Sequence, residues 1–206
     1  MLRPSVLSPA ARRLMSDIEP FSRSAGKALR IYQAECAHAV LRSVFAGDGK
    51  IFTIMLARQM GKNETSAQLE AYLLALYARR GGTIVKAAPS FRPQLDTSML
   101  RLKEALDRNP VTRRRWKPAF SYMIRLGNAG VTFLSADRHA NVVGATAGLL
   151  LEVDEAQDVD PDKYDREFRP MASSTNATTV LYGTAWGLDS LLQRQREINL
   201  AHERHT

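Results

Sequence analysis

A chain of 206 residues, 45% of them hydrophobic and 24% charged, has enough apolar side chains to bury one sizeable core. No apolar run approaches the roughly 20 residues that span a bilayer, the N-terminus lacks the continuous apolar segment of a secretory signal, and the single cysteine, Cys36, forms no internal disulfide. Its 29 Lys and Arg against 21 Asp and Glu leave a formal net charge of +8, which favours a polyanionic partner such as nucleic acid.

Residues 1–25 hold Pro4, Pro9 and Pro20 and several serines, and they read as a loosely ordered arm with one short helix. Leu29, Ala37, Val40, Leu41 and Val44 then fall at mostly helical spacing, and Gly47 ends that helix. The β-branched and aromatic run "IFTIML" (51–56) reads as a buried strand. After the stretch "ARQMGKNE" (57–64) comes a helix with Leu69, Leu73, Leu76 and Tyr77 on one side and Gly81-Gly82 at its end. "TIVKAAP" (83–89) is a second strand. Leu95, Met99, Leu102 and Leu106 mark the next helix, with Pro93 near its start and Pro110 as its stop. "SYMIRLGNAGVTFLSA" (121–136) has the form of a hairpin. "GLLLEVDEAQ" (148–157) is a buried strand ending in acids, "PDKYDREFRPMASS" a helix, "TTVLYGTAWG" (178–187) another buried strand, and 188–204 a last helix. Strands alternating with helices, with central strands apolar along their length, predict an α/β fold: a mainly parallel central sheet with helices on both faces.

Gly61-Lys62 stands between a strand and an amphipathic helix, the setting of a phosphate-binding loop. There a helix N-terminus and backbone N–H groups hold phosphates, and the lysine neutralises their charge. The common pattern G-x-x-x-x-G-K-[ST] is not met. Leu56 stands in place of the first glycine and Asn63 in place of the metal-binding hydroxyl. Asp154 and Glu155 end an apolar strand, at the edge where ligands of open α/β sheets sit. An aspartate there can hold Mg²⁺ and a neighbouring glutamate can polarise a water attacking the γ-phosphate. The competing reading is a pair of acids capping the following helix. Asp-Glu after such a strand picks out the additional-strand, catalytic-glutamate class of P-loop NTPases. Thr184, after a strand expected beside the Asp154 strand, is placed to sense the γ-phosphate. Upstream, Tyr32 can stack on adenine and Gln33 can bond it through its amide; a surface glutamine beside a core tyrosine is the other reading.

Taken together, Tyr32-Gln33, "ARQMGKNE", "LLLEVDEAQD" and "LYGTAWG" resemble, over roughly residues 28–200, the ATPase domain of the large terminase subunit of tailed bacteriophages. That family is the motor that pumps DNA into a preformed capsid. Its phosphate loop often lacks the first glycine and carries an arginine four positions before the lysine, here Arg58. The resemblance implies ATP and Mg²⁺ as ligands, with Ala57, Arg58, Gln59, Met60, Gly61, Lys62, Asn63 and Glu64 around the phosphates. It puts Tyr32 and Gln33 at the adenine, Asp154 and Asn63 at the metal, Glu155 at the water, and Gly183, Thr184 and Gly187 in the coupling motif. Arg138 is the first choice for an arginine finger acting on a neighbouring subunit, and Arg113 to Arg115 the second.

The implied partners are double-stranded DNA, a portal protein and a small terminase subunit. The implied assembly is a homo-oligomeric ring on the capsid, from a chain monomeric alone, with no membrane. The implied place is the host cytoplasm, at the procapsid portal. The expected division is an N-terminal arm (1–27) and a P-loop ATPase domain (28–206), without the acidic metal cluster of a nuclease domain, hence ATP hydrolysis without DNA cleavage. Two alternatives stand beside this. One is a superfamily 2 helicase fragment, with "DEAQ" as its second motif. The other is a basic DNA-binding module with a decayed nucleotide site, for which Asn63 is the evidence.

Overall fold

A computed structural model describes residues 8–140, 142, 144–184, 187 and 189–204. Among them, β1 (Ile51–Met55), β2 (Gly82–Ala88), β3 (Trp116–Ala119), β4 (Met123–Leu126), β5 (Ala129–Ser135), β6 (Leu150–Val153) and β7 (Thr178–Gly183) form one sheet in the order β1-β7-β6-β2-β5-β4-β3. The strands from β1 to β5 in that order are parallel, and β4 and β3 extend the sheet antiparallel. One face is covered by α2 (Ile18–Ser24), α3 (Ile31–Ala46), α4 (Lys62–Tyr77) and α5 (Asp96–Arg108), packed through Leu69, Leu73, Leu102 and Leu106 onto Ile84, Val131 and Phe133. On the other face, α7 (Arg169–Ser173), α8 (Leu191–Glu203) and the turns before α7 bury Val85, Leu151, Val153 and Leu181. The expected mainly parallel sheet with helices on both faces is thus the observed architecture.

Several local expectations change. β1 is an edge strand with only Ile54 buried, and β7 takes the inner place between β1 and β6. An apolar run signals burial on a face but not position in the sheet. The supposed arm is not loose over residues 9–24: α1 (Pro9–Leu14) is capped by Ser8, and α2 is capped by Asp17. Ile18 and Phe21 are fully buried, and Phe21 meets the Tyr72 ring edge-on at 5.3 Å. Residues 1–7 lie outside the described residues. β3 joins the hairpin as a third strand. Pro118, which argues against a strand, is tolerated because β3 is at the sheet edge. The strand expected over 148–157 spans only 150–153, and the helix after it breaks into α6 (Pro161–Lys163), a wider turn at 164–168, and α7. The strand expected over 178–187 ends at Gly183, and Ala185 and Trp186 of that stretch lie outside the described residues.

Beneath α4 lies a buried ionic cluster. Lys86 on β2 is 2% exposed, and its Nζ is 3.1 Å from Glu70 Oε1 and 3.5 Å from Glu152 Oε2. It also donates to the Ser66 hydroxyl and lies 5.8 Å from the centre of the Tyr182 ring. Burial pushes the Glu70 carboxyl well above its ordinary range, against the pull of Lys86. Burial works against the Lys86 charge, but the Glu152 and Glu70 carboxylates overcome it and raise its pKa. One cation among two acids thus ties α4, β2 and β6 together.

Candidate active site

The chain leaves β1 and turns through residues 57–61 into α4. Gln59 (φ 64°) and Gly61 (φ 85°) are both left-handed, and Gly61 is the N-cap of α4. No side chain caps this helix, so its first N–H groups are not taken by a cap side chain. Glycine is the residue suited to position 61. A Cβ there would lie 2.4 Å from Gln33 Nε2, on top of the cost of a positive φ. Gly61→Ala is therefore expected to lower stability by about 1–2 kcal/mol, read as a shift in the urea midpoint.

Tyr32 and Gln33 brace this loop from behind. The Tyr32 hydroxyl donates to Met60 O at 2.9 Å, and Gln33 Nε2 reaches Met60 O at 3.4 Å and Gly61 O at 3.3 Å. Gln33 Oε1 accepts from the Arg30 N–H at 2.9 Å. Gln33 is buried, so it is neither a surface side chain nor an amide presented to the cleft.

In front of the loop is a cleft of about 720 Å³, lined by Ala57, Arg58, Gln59, Gly61, Lys62, Asn63, Glu64, Glu155 and Thr184, with Gln94, Arg101, Gln157 and Asp158. Loop and acidic strand end meet across it. Lys62 Nζ donates to both Glu155 oxygens at 3.1 Å. Glu155 itself sits at φ 46°, a strained backbone for a non-glycine residue. The acids therefore do not cap a following helix: Glu155 precedes a short 3₁₀ turn (Ala156–Asp158) and makes no capping bond to it.

Asp154 is 5% exposed and lies behind the cleft wall. Its Oδ2 accepts from the Ser98 hydroxyl at 3.3 Å and its Oδ1 from the Glu155 N–H at 3.1 Å. It has no ion pair within 4.0 Å among the described residues. A buried carboxylate with spare lone pairs is a hard oxygen ligand that suits Mg²⁺, and Asn63 lines the cleft. Thr65 and Ser66 do not replace the missing hydroxyl at 63. The Thr65 hydroxyl donates to Gly61 O at 3.0 Å, and the Ser66 hydroxyl to Glu152 at 2.9 Å inside the buried cluster.

Gln157 is a residue the sequence reading passed over. Its Nε2 donates to Glu155 Oε2 at 2.8 Å and to Asp158 Oδ2 at 3.0 Å, and its Oε1 accepts from the Thr184 N–H at 3.2 Å. One amide thus joins the acid at the end of β6 to the segment leaving β7. Gly183 makes room for it, since a Cβ there would come within 2.3 Å of Gln157 Oε1. Arg101, on α5, was also missed; it faces the cleft 3.9 Å from Glu64. Arg138 lies outside the cleft, exposed and paired with Asp160.

No protein-family model matches the sequence, and no curated protein sequence matches it. Solved structures do. The chain is similar to the large terminase of bacteriophage HK97 with a TM-score of 0.70 at 19% identity, over 93% of this chain and 41% of that one. It is similar to the large terminase ATPase domain of Thermus phage P74-26 with a TM-score of 0.65 at 21% identity, over 82% of this chain and 70% of that one. A third is the large terminase of a thermophilic bacteriophage, solved in complex with ADP, with a TM-score of 0.62 at 14% identity over 84% of this chain and 43% of that one. The chain thus has the fold of phage large-terminase ATPase domains, a P-loop NTPase fold, and spans about two fifths of the whole HK97 protein.

Proposed function

We propose that this chain binds and hydrolyses ATP as the motor domain of a large terminase subunit, driving double-stranded DNA into a viral capsid. The observation that carries the reading is the Lys62–Glu155 contact. It brings the loop lysine and the strand-end glutamate to one cleft, with the additional strand β7 between their parent strands. A merely decayed loop has no reason to keep that pairing. In this reading the phosphates lie on residues 57–63, where Lys62 and Arg58 offset their charge. Bound Mg²⁺, held by Asp154 and Asn63, would neutralise phosphate charge. Lys62 changes partner from Glu155 to phosphate, which leaves Glu155 free to take a proton from water. Thr184 senses the outcome, with Gln157 as its link to Glu155. Arg138 would leave Asp160 to reach a neighbouring subunit's phosphates, in a ring that assembles with portal and small subunit at the procapsid in the host cytoplasm. Residues 28–206 act as the ATPase domain and cut no DNA.

Phosphate release by the purified chain, with an ATP analogue's effect on melting in Mg²⁺, tests this. Lys62→Ala is expected to weaken nucleotide binding about 10- to 100-fold, the worth of a hydrogen-bonded charge. Turnover and binding that do not depend on Lys62 would favour the DNA-binding module with a decayed site.

A further inference from the structure

The free end of the sheet carries a feature that ATP hydrolysis does not use. In the β3–β4 register Lys117 lies directly opposite Arg125, and both are exposed. Side chains opposite one another in an antiparallel pair share a face, and like charges placed so are destabilising. Ile124 and Leu126 point into the core, so Lys117 and Arg125 occupy the other face. The helices of that layer pack over β1, β6 and β7 and leave this part of the sheet open. Neither Lys117 nor Arg125 has an ion pair within 4.0 Å among the described residues.

The turn between these strands adds an independent observation. Phe120 is 76% exposed and stacks on Tyr122 with ring centres 5.7 Å apart and planes 13° apart. Phe120 also sits at φ 57°, a backbone state unfavourable for an aromatic residue. The Phe133 N–H donates to Tyr122 O at 2.8 Å, which fixes the turn at the C-terminal end of β5. That is the sheet edge of the nucleotide cleft. Three strand spacings separate β4 from β6, so the turn stands about 15 Å along this edge from the acidic strand end. The charged pair lies about 10 Å further down the hairpin from the aromatic pair, at a rise of about 3.3 Å per residue.

We infer that the β3–β4 hairpin is a contact surface for duplex DNA, with Lys117 and Arg125 on backbone phosphates and Phe120 reaching sugars and base edges. The inference rests on the motor reading for its choice of duplex. A paired positive charge with no acid partner matches the regularly spaced negative charge of a phosphate backbone. An exposed, pre-stacked aromatic pair beside it is the apolar wedge that such proteins present to a groove.

The test is fluorescence anisotropy with a labelled duplex over a salt series, on the whole chain. Lys117→Glu/Arg125→Glu is expected to weaken duplex binding at least tenfold and to flatten the salt slope by about 2, one for each phosphate lost. Phe120→Ala is expected to weaken binding severalfold without changing that slope. Arg79→Glu/Arg80→Glu, the same charge change at the end of α4, is expected to do less. Melting curves confirm that each variant is folded, and nucleotide affinity should be unchanged in all three. Duplex binding that survives the hairpin charge reversal overturns the surface while leaving the motor reading standing. So does an equal loss from the Arg79/Arg80 variant, or tighter binding of a single strand than of a duplex of equal length. A wild-type chain that binds no duplex at any salt overturns both.

Discussion

Glu155→Gln is expected to lower ATP turnover by about 10²–10⁴-fold, the usual worth of a positioned general base, while nucleotide binding becomes tighter. The two halves have separate causes. Turnover falls because an amide cannot accept the proton of the attacking water. Binding rises because both Glu155 oxygens hold Lys62 Nζ at 3.1 Å, and a phosphate must displace them to be neutralised. A neutral amide in place of the carboxylate gives up that competition. Since the Glu155 side chain is 30% exposed, the pair is screened and the gain in affinity should be no more than severalfold. Gln157 remains to hold the substituted side chain, so its position should change little. Single-turnover phosphate release and an equilibrium titration with ATP check the two halves. Near-wild-type turnover would remove Glu155 from its assigned role. Weaker nucleotide binding would mean that the Lys62–Glu155 contact orders the loop and does not compete with phosphate.

Much of this site was legible because its chemistry sits at strand ends. Residues 51–56 and 148–155 are apolar runs that stop at polar residues, and the sheet then has to bring both stops to one edge. The odd Leu56 and the Arg58 four residues before Lys62 pointed to the terminase kind of loop, and the fold is that of large-terminase ATPase domains. What was not legible depends on packing. Nothing local in "YQ" says whether the amide of Gln33 faces a base or, as here, the carbonyls of Met60 and Gly61. Arg101 reaches the cleft only because α5 crosses beside α4. Gln157 had a signal: it follows the acids by two residues, in a segment that must turn sharply after β6. The aromatic turn at 120–122 had none, because an isolated Phe in a loop reads as core until its exposure is known. Lys86 and Glu152 had one as well. Each is a charge inside a run otherwise apolar, and a charge in a central strand must find a partner across the sheet or from the helix above.

That buried cluster carries the second large effect. Lys86→Met keeps the volume and removes the cation, which leaves Glu70 and Glu152 facing each other, both almost fully buried. Breaking a buried ion pair by removing one partner costs about 3–5 kcal/mol, and that is the expected loss near neutral pH. The loss should depend on pH in a defined sense. Burial already pushes the Glu70 carboxyl well above its ordinary range even with Lys86 present, and without the lysine it is pushed further. A carboxyl whose native pKa is raised binds more protons folded than unfolded, so its native state is favoured at low pH and loses stability as pH rises. The gap between wild type and Lys86→Met should therefore be small near pH 4.5 and widen as pH rises through the raised native value. Urea unfolding at pH 5 and pH 8 measures this. Lys86→Met/Glu152→Gln removes one of the two uncompensated charges and should recover part of the loss at pH 8 but little at pH 5. A gap independent of pH would mean that Lys86 contributes through its alkyl packing and not its charge. Because the Ser66 hydroxyl, on the second turn of α4, donates to Glu152 and lies 3.3 Å from Glu70, while Glu152 lies two residues before Asp154, the same variant should loosen the phosphate loop against the acidic strand end. Nucleotide affinity should then fall in step with stability at pH 8 and recover with it in the double variant.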